Sequence, residues 1–312
     1  MSSYLSINGG VQPVEPERIP VPAGLHYVSD DQPGYRRVRR GKGFSYLDPH
    51  GEVVRDPEER KRIQDLVIPP AWTEVWISKD KHGHIQATGR DARGRKQYIY
   101  HPLWEEARNE SKFHRLIPFG RALPAIREKV NEDLRLRRPS REKVTALVVR
   151  LLDETLIRIG NREYARQNQS YGLTTLGMEH VDLSGSRIVF QFRGKSGKEQ
   201  QVTLRGRRLA NLVKRCQELP GQALFQYVDE QGNCCQTVDS GDVNRYLREI
   251  SGDDFSAKDF RTWGGTTLAA VELYELGPAQ TEKEAKKNLT AAIKRVAEAL
   301  GNTPSVCRQY YV

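Results

Sequence analysis

The sequence has no apolar run near the roughly 20 residues that a membrane-spanning helix needs, and its mean hydropathy is −0.68. Its start, Met1-Ser-Ser-Tyr-Leu-Ser, has no basic patch followed by an apolar stretch, so nothing points to secretion. Cysteine is scarce. Cys216, Cys234, Cys235 and Cys307 are the four. None has metal-site spacing, and the adjacent pair is a poor disulfide framework, which fits a reducing cytosol. No Asp-x-Asp pair is present for a two-metal centre. His82 and His84 lack the further ligands and spacing of a zinc site, and none of the seven histidines lies beyond His180. Gly194-Lys195-Ser196 ends like a phosphate-binding loop, but that pattern needs a glycine at position 189, which is Val189. No metal and no cofactor is expected.

Positive charge is abundant. The 312 residues carry 50 Lys and Arg against 40 Asp and Glu, a net +10. An excess of this size favours a polyanionic partner; a basic enzyme without one is the plainer alternative. The distribution favours the polyanion. From Lys79 to His101 six Lys or Arg stand against two Asp. Within that stretch Arg90, Arg93, Arg95, Lys96, Gln97, Tyr98 and Tyr100 interleave cations with an amide and two aromatics. This mixture suits phosphates and base edges, although a solvated turn has the same composition.

Residues 1–22 hold four prolines and little periodicity, and read as a flexible arm. Strand patterns follow at 25–29, 35–40, 41–48, 72–78 and 84–88, with a short helix at 56–66 capped by Asp56 and started by Pro57. After Trp104 the period becomes helical. Phe119 to Leu134 and Ser140 to Ile157 carry apolar residues at helical spacing, and the second has a broad apolar face that suits a central helix, with Gly160 as its stop. A small sheet is expected over 180–183, 188–192 and 199–204. Helices are expected at 205–219, 243–250, 266–276 and 281–300. The domains are thus 23–110, β-rich and basic, and 111–312, mostly helical.

Four residues carry the chemistry. Arg158 ends an apolar helix, where a charge is costly unless paired; an ion pair with Glu154 would also account for it. Lys195 sits at a hairpin tip, where most lysines are merely solvated. Arg261 lies in Lys258-Asp-Phe-Arg-Thr-Trp-Gly-Gly-Thr, the most specific string in the chain. Guanidinium groups grip phosphate oxygens in a planar fork that lysine cannot imitate. Tyr311 follows Gly301-Asn302-Thr303-Pro304-Ser305, and a terminal tyrosine is ordinarily a packing residue. Phosphoryl transfer without metal needs cations, a nucleophile and a proton donor, and this chain offers all three.

Five strings together resemble the bacterial and poxvirus-type type IB DNA topoisomerases: residues 89–101, Ile157-Arg-Ile-Gly-Asn, Arg193-Gly-Lys, residues 258–266, and Gly301-Asn-Thr-Pro-Ser with Tyr311. Their order and spacing match from about residue 25 onward. The resemblance implies an α+β protein with a small β-rich N-terminal domain. It implies a larger, mostly helical catalytic domain with a small antiparallel sheet, the two closing as a C-shaped clamp on duplex DNA. It implies Tyr311 as nucleophile, Arg158 and Arg261 on the phosphate, Lys195 as proton donor to the leaving 5′ oxygen, and Asn302 where viral members carry histidine. Arg90, Arg93, Arg95, Lys96, Gln97, Tyr98, Tyr100 and Lys258 would bind DNA. The enzyme would be a cytoplasmic, nucleoid-associated monomer without membrane contact, needing neither ATP nor cofactor. The family continues beyond this tyrosine, so a truncated chain is expected. Tyrosine recombinases share the chemistry but usually carry His-x-Leu-Arg-His where this chain has Lys258-Asp-Phe-Arg261-Thr, and they lack the basic β-rich segment. A DNA-binding clamp without catalysis would account for the charge but not for the four residues together.

Overall fold

A computed structural model describes residues 22–41, 43–92, 94–228 and 235–311. All of the expected flexible arm but Pro22, and also Arg93, therefore lie outside the described residues. The chain divides into two compact units, one reaching Phe113 and the other running from His114.

The first unit is built on strands β1 (Tyr35–Arg40) and β2 (Gly43–Leu47), helix α1 (Pro57–Asp65), strands β3 (Thr73–Ile77), β4 (Ile85–Arg90) and β5 (Lys96–Tyr100), and helix α2 (Pro102–His114). The strands form one antiparallel sheet in the order β2-β1-β3-β4-β5. Alternation decides its faces. Val75, Ile77 and Ala87 point to a small core completed by Ile63 of α1, and the polar Gln86 and Thr88 that flank Ala87 are buried as well. Asp56 accepts from the Glu58 N–H and Pro57 opens α1, as the sequence dictates. The alternating run at 25–29 does not become a strand. It makes a single isolated bridge, His26 to Gly83, outside the strands of the sheet. Helix α2 was not anticipated; its polar face obscures the period.

The second unit holds α3 (Leu116–Asp133), α4 (Arg141–Thr155), α5 (Arg162–Asn168), strands β6 (Val181–Ser184), β7 (Arg187–Arg193) and β8 (Glu199–Arg205), and α6 (Arg207–Gln217). It continues with a ribbon of β9 (Gln226–Val228) and β10 (Cys235–Thr237), then α7 (Ser240–Ser251), α8 (Ala257–Leu276), α9 (Glu282–Leu300) and α10 (Pro304–Tyr310). Helix α4 is central. Leu147, Val148, Leu151 and Leu152 are at most 2% exposed and join one core with residues of α3, α7, α8 and the sheet. Each fully buried Leu contributes about 1.5–3 kcal/mol. Ser140 caps α4. No helix among the described residues is long and apolar enough to cross a membrane.

Two helix ends differ from the expectation. Helix α4 stops at Leu156, which takes φ 56° and ψ 17°, not at Gly160. A left-handed leucine is uncommon and is held only by surroundings that over-determine it. The string around Arg261 does not lead into a helix but lies inside α8, which starts nine residues before Thr266. Its double glycine suggested a boundary; tertiary contacts carry the helix through.

Candidate active site

Four separate stretches of the second unit converge on an open cavity of about 630 Å³. Arg158, Lys195, Lys258, Arg261 and Tyr311 all line it.

Arg158 reaches the cavity because the chain turns at Leu156 and runs extended to Gly160. The Leu173 N–H donates to the Arg158 carbonyl at 2.8 Å, and the Thr174 N–H to the Ile159 carbonyl at 2.8 Å. Such contact requires glycine at 172, where a Cβ would stand 2.5 Å from the Gly160 nitrogen. The ion pair with Glu154 does not form; Glu154 pairs with Arg150 at 2.7 Å. Arg158 instead donates from Nη2 to Asn302 Oδ1. Burial lowers its pKa to about 10, and the neighbouring Arg261 charge pushes the same way.

Arg261 is 5% exposed. Its Nη1 donates to the Leu156 carbonyl, so the left-handed turn that ends α4 also aims an acceptor at this guanidinium. Its Nη2 donates to the Leu300 carbonyl at 2.9 Å. Burial pushes Arg261 down, while the Tyr311 phenol beside it acts in the opposite sense. Its guanidinium carbon lies 5.7 Å from the Tyr311 ring centroid. The Nε of Arg261 and the Nδ2 of Asn302 are buried with no hydrogen-bond partner among the described residues. Orphaned buried donors are rare and costly.

Lys195 is exposed on the tight turn between β7 and β8. The turn is closed by the Gly194 N–H donating to the Lys198 carbonyl at 2.7 Å, and Ser196 takes φ 66°. That geometry holds the Lys195 backbone at the cavity wall.

Tyr311 caps α10, a short helix that the Gly and Pro in the sequence concealed. Thr303 caps it and Pro304 opens it. The Tyr311 N–H donates to the Cys307 carbonyl at 2.9 Å, and its own carbonyl accepts from the Thr266 hydroxyl at 2.9 Å. Tyr310, its neighbour, is 37% exposed and does not line the cavity.

Sequence reasoning missed Asn161, Tyr164, Gln167 and Tyr171, which form another part of the cavity wall. Asn161 had a visible signal: it caps α5 by accepting from the Tyr164 N–H at 2.8 Å. The seven residues of α5 are too few to show a period.

The remaining candidates lie on the β4–β5 hairpin of the first unit. Lys96, Tyr98 and Tyr100 share one face, with the two rings stacked at 5.8 Å and Arg108 over Tyr100 at 5.1 Å. Gln97 belongs to the other face and donates to Asp91 at 3.0 Å. Arg90 pairs with Glu74 at 2.7 Å, Arg95 with Asp91 at 2.6 Å, and Lys96 with Asp30 at 2.7 Å. Much of this charge is thus balanced within the unit.

Residues 101–311 match the family described as eukaryotic DNA topoisomerase I, catalytic core. Residues 43–91 match the bacterial DNA topoisomerase IB N-terminal domain. DNA topoisomerase 1B of Acanthamoeba polyphaga mimivirus is 35% identical, over 89% of this chain and 85% of its own. The DNA topoisomerase 1B of vaccinia virus (strain Western Reserve) is 24% identical, over 92% and 82%. Among solved structures, the XerH site-specific recombinase bound to difH substrate aligns with a TM-score of 0.39 and 15% identity. That alignment covers 61% of this chain and 48% of the recombinase, so the chain spans about half its length. With one family match running over residues 101–311, more than half of the chain, and a second over residues 43–91 of its β-rich unit, this chain belongs to the type IB DNA topoisomerases.

Proposed function

We propose that this protein relaxes supercoiled duplex DNA by transesterification at Tyr311, without metal and without ATP. The meeting of Arg158, Lys195, Arg261 and Tyr311 at one cavity is the observation that carries this reading. The Tyr311 oxygen attacks a backbone phosphorus, and the bond from phosphorus to the 5′ oxygen breaks. The product is a 3′-phosphotyrosyl link and a free 5′-hydroxyl. The phenol proton is lost during attack, and Lys195 supplies a proton to the leaving oxygen. The bond energy is kept in the link, so resealing is the reverse step and needs no nucleotide.

Arg158 and Arg261 stabilise charge on the non-bridging oxygens as the pentacoordinate state forms. The buried Arg261 Nε and Asn302 Nδ2 lack partners, and a phosphate oxygen is the acceptor each would find. A bound phosphate would also relieve the crowding of two cations that helps lower the Arg158 pKa. On this reading Lys258 and the hairpin face of Lys96, Tyr98 and Tyr100 contact the duplex. Since one chain supplies every group, it acts as a monomer, on DNA in the cytoplasm and nucleoid.

The test is a supercoiled plasmid incubated in EDTA without ATP, then quenched with detergent. The unaltered protein should relax single circles and leave covalent adducts. Tyr311→Phe should do neither while still binding DNA, and Tyr310→Phe should behave as the unaltered protein. An adduct from Tyr311→Phe would remove Tyr311 as the nucleophile; exchange between circles would point to recombination.

A further inference from the structure

The second unit holds another cavity, of about 330 Å³, between the first turns of α4 and the last turns of α6. That volume is at the lower end of small-molecule sites. Val144, Leu147 and Leu212 give it apolar walls, and Arg137, Lys143 and Arg215 bring three cations to it. Glu218 is the one carboxylate among the described lining residues.

Lys143 is the unusual member. It is 7% exposed, and its ammonium donates to the Leu136 carbonyl. No carboxylate pairs with it among the described residues. It stands in the first turn of α4, where the helix dipole disfavours a cation. Burial pushes its pKa down, and Arg215 adds to the effect. The buried anion of the same unit is treated differently: Asp133 accepts from the Tyr246 hydroxyl and from Lys129, both at 2.7 Å. Arg261, the other buried cation among the described residues, likewise donates to backbone carbonyls, and it faces the cavity where a phosphate is proposed. A buried charge without an opposite charge is costly, and here an open cavity adjoins it.

We propose that this cavity is a separate binding site for a small amphipathic anion, a single carboxylate-like head on an apolar body. The head sits on Lys143 and Arg215, and the body lies along Val144, Leu147 and Leu212. The site does not depend on the chemistry at Tyr311.

Titration calorimetry on the full chain tests it, with octanoate as the probe and octan-1-ol and octyltrimethylammonium for comparison. Octanoate should bind with one-to-one stoichiometry and about tenfold or more tighter than the alcohol, the order expected of a charge-assisted hydrogen bond. The cation should not bind. Lys143→Met keeps the length and apolar character of the side chain; it should weaken octanoate about tenfold and leave the alcohol unchanged. Arg215→Gln alters an exposed residue, should not disturb folding, and should weaken octanoate severalfold, so it decides the matter alone if Lys143→Met does not fold. Equal affinity for octanoate and octan-1-ol, no saturable binding at millimolar concentration, or unchanged octanoate affinity in the folded variants would each overturn the proposal.

Discussion

Gly265 lies directly against Tyr311: a Cβ on the glycine would stand 3.1 Å from the Cβ of the tyrosine. One residue earlier, a Cβ on Gly264 would meet the Leu156 side chain at 2.4 Å. The two glycines each weaken a helix by about 1 kcal/mol relative to alanine, yet they stand together inside α8. Their places are explained by what they admit. Gly264 lets the end of α4 approach, and Gly265 lets the tyrosine sit on the same helix that carries Arg261.

Gly265→Ala should therefore separate stability from activity. Alanine gains about 1 kcal/mol of helix propensity, against a contact that must open by a few tenths of an ångström. Thermal unfolding should move little. Relaxation should slow by about tenfold to a hundredfold, since small misplacements of reacting groups are expensive. A variant as fast as the unaltered protein would show that Tyr311 does not need this contact.

Arg158 and Arg261 should differ in what their loss does to folding. Both alanine variants should slow cleavage by roughly 10²- to 10³-fold, on the order of 3–4 kcal/mol for each lost transition-state donor. Arg261→Ala also strands the Leu156 and Leu300 carbonyls, at roughly 1–3 kcal/mol for each buried group left unsatisfied. Denaturant unfolding should find it the less stable of the two. Arg261→Lys should not recover full rate, because one ammonium cannot replace a planar fork. Full recovery would make Arg261 a point charge only.

For Lys195 the leaving group is the lever. An alkoxide needs a proton as its bond to phosphorus breaks, and a thiolate does not. Lys195→Ala should cleave ordinary DNA very slowly and a 5′-bridging phosphorothiolate at close to the unaltered rate. Arg158→Ala and Arg261→Ala should gain less from sulfur. Rescue of Lys198→Ala instead would transfer the role to Lys198, and rescue of neither would return Lys195 to a solvated surface charge.

On the hairpin, the two faces should respond differently to salt. Lys96→Gln should lower the log–log slope of DNA binding by about 0.9, the value of one phosphate contact. Gln97→Ala, on the opposite face with Asp91, should leave the slope unchanged. A slope unmoved by Lys96→Gln would mean that its pair with Asp30 persists and that it never reaches a phosphate.

Local chemistry made much of this protein legible in its sequence. Asp56-Pro57 and Ser140 announce the starts of α1 and α4, and alternation gives β1 to β4 and β6 to β8 though not β5, β9 or β10, because caps and periodicity are properties of a few adjacent residues. The same locality hid α5 and α10, of seven residues each, and misplaced the end of α4. Leu156 adopts a left-handed conformation that no leucine chooses alone, and it is held there by packing against Gly264 and by the Arg261 guanidinium. What the sequence by itself determined was the set of reactive residue types and the elements that carry them. Only the tertiary structure decided that Arg158 turns away from Glu154 to Asn302, 144 residues along the chain, and that Gly265 seats Tyr311 beside Arg261. Those choices depend on packing between distant segments, in which a missing Cβ counts as much as a charge.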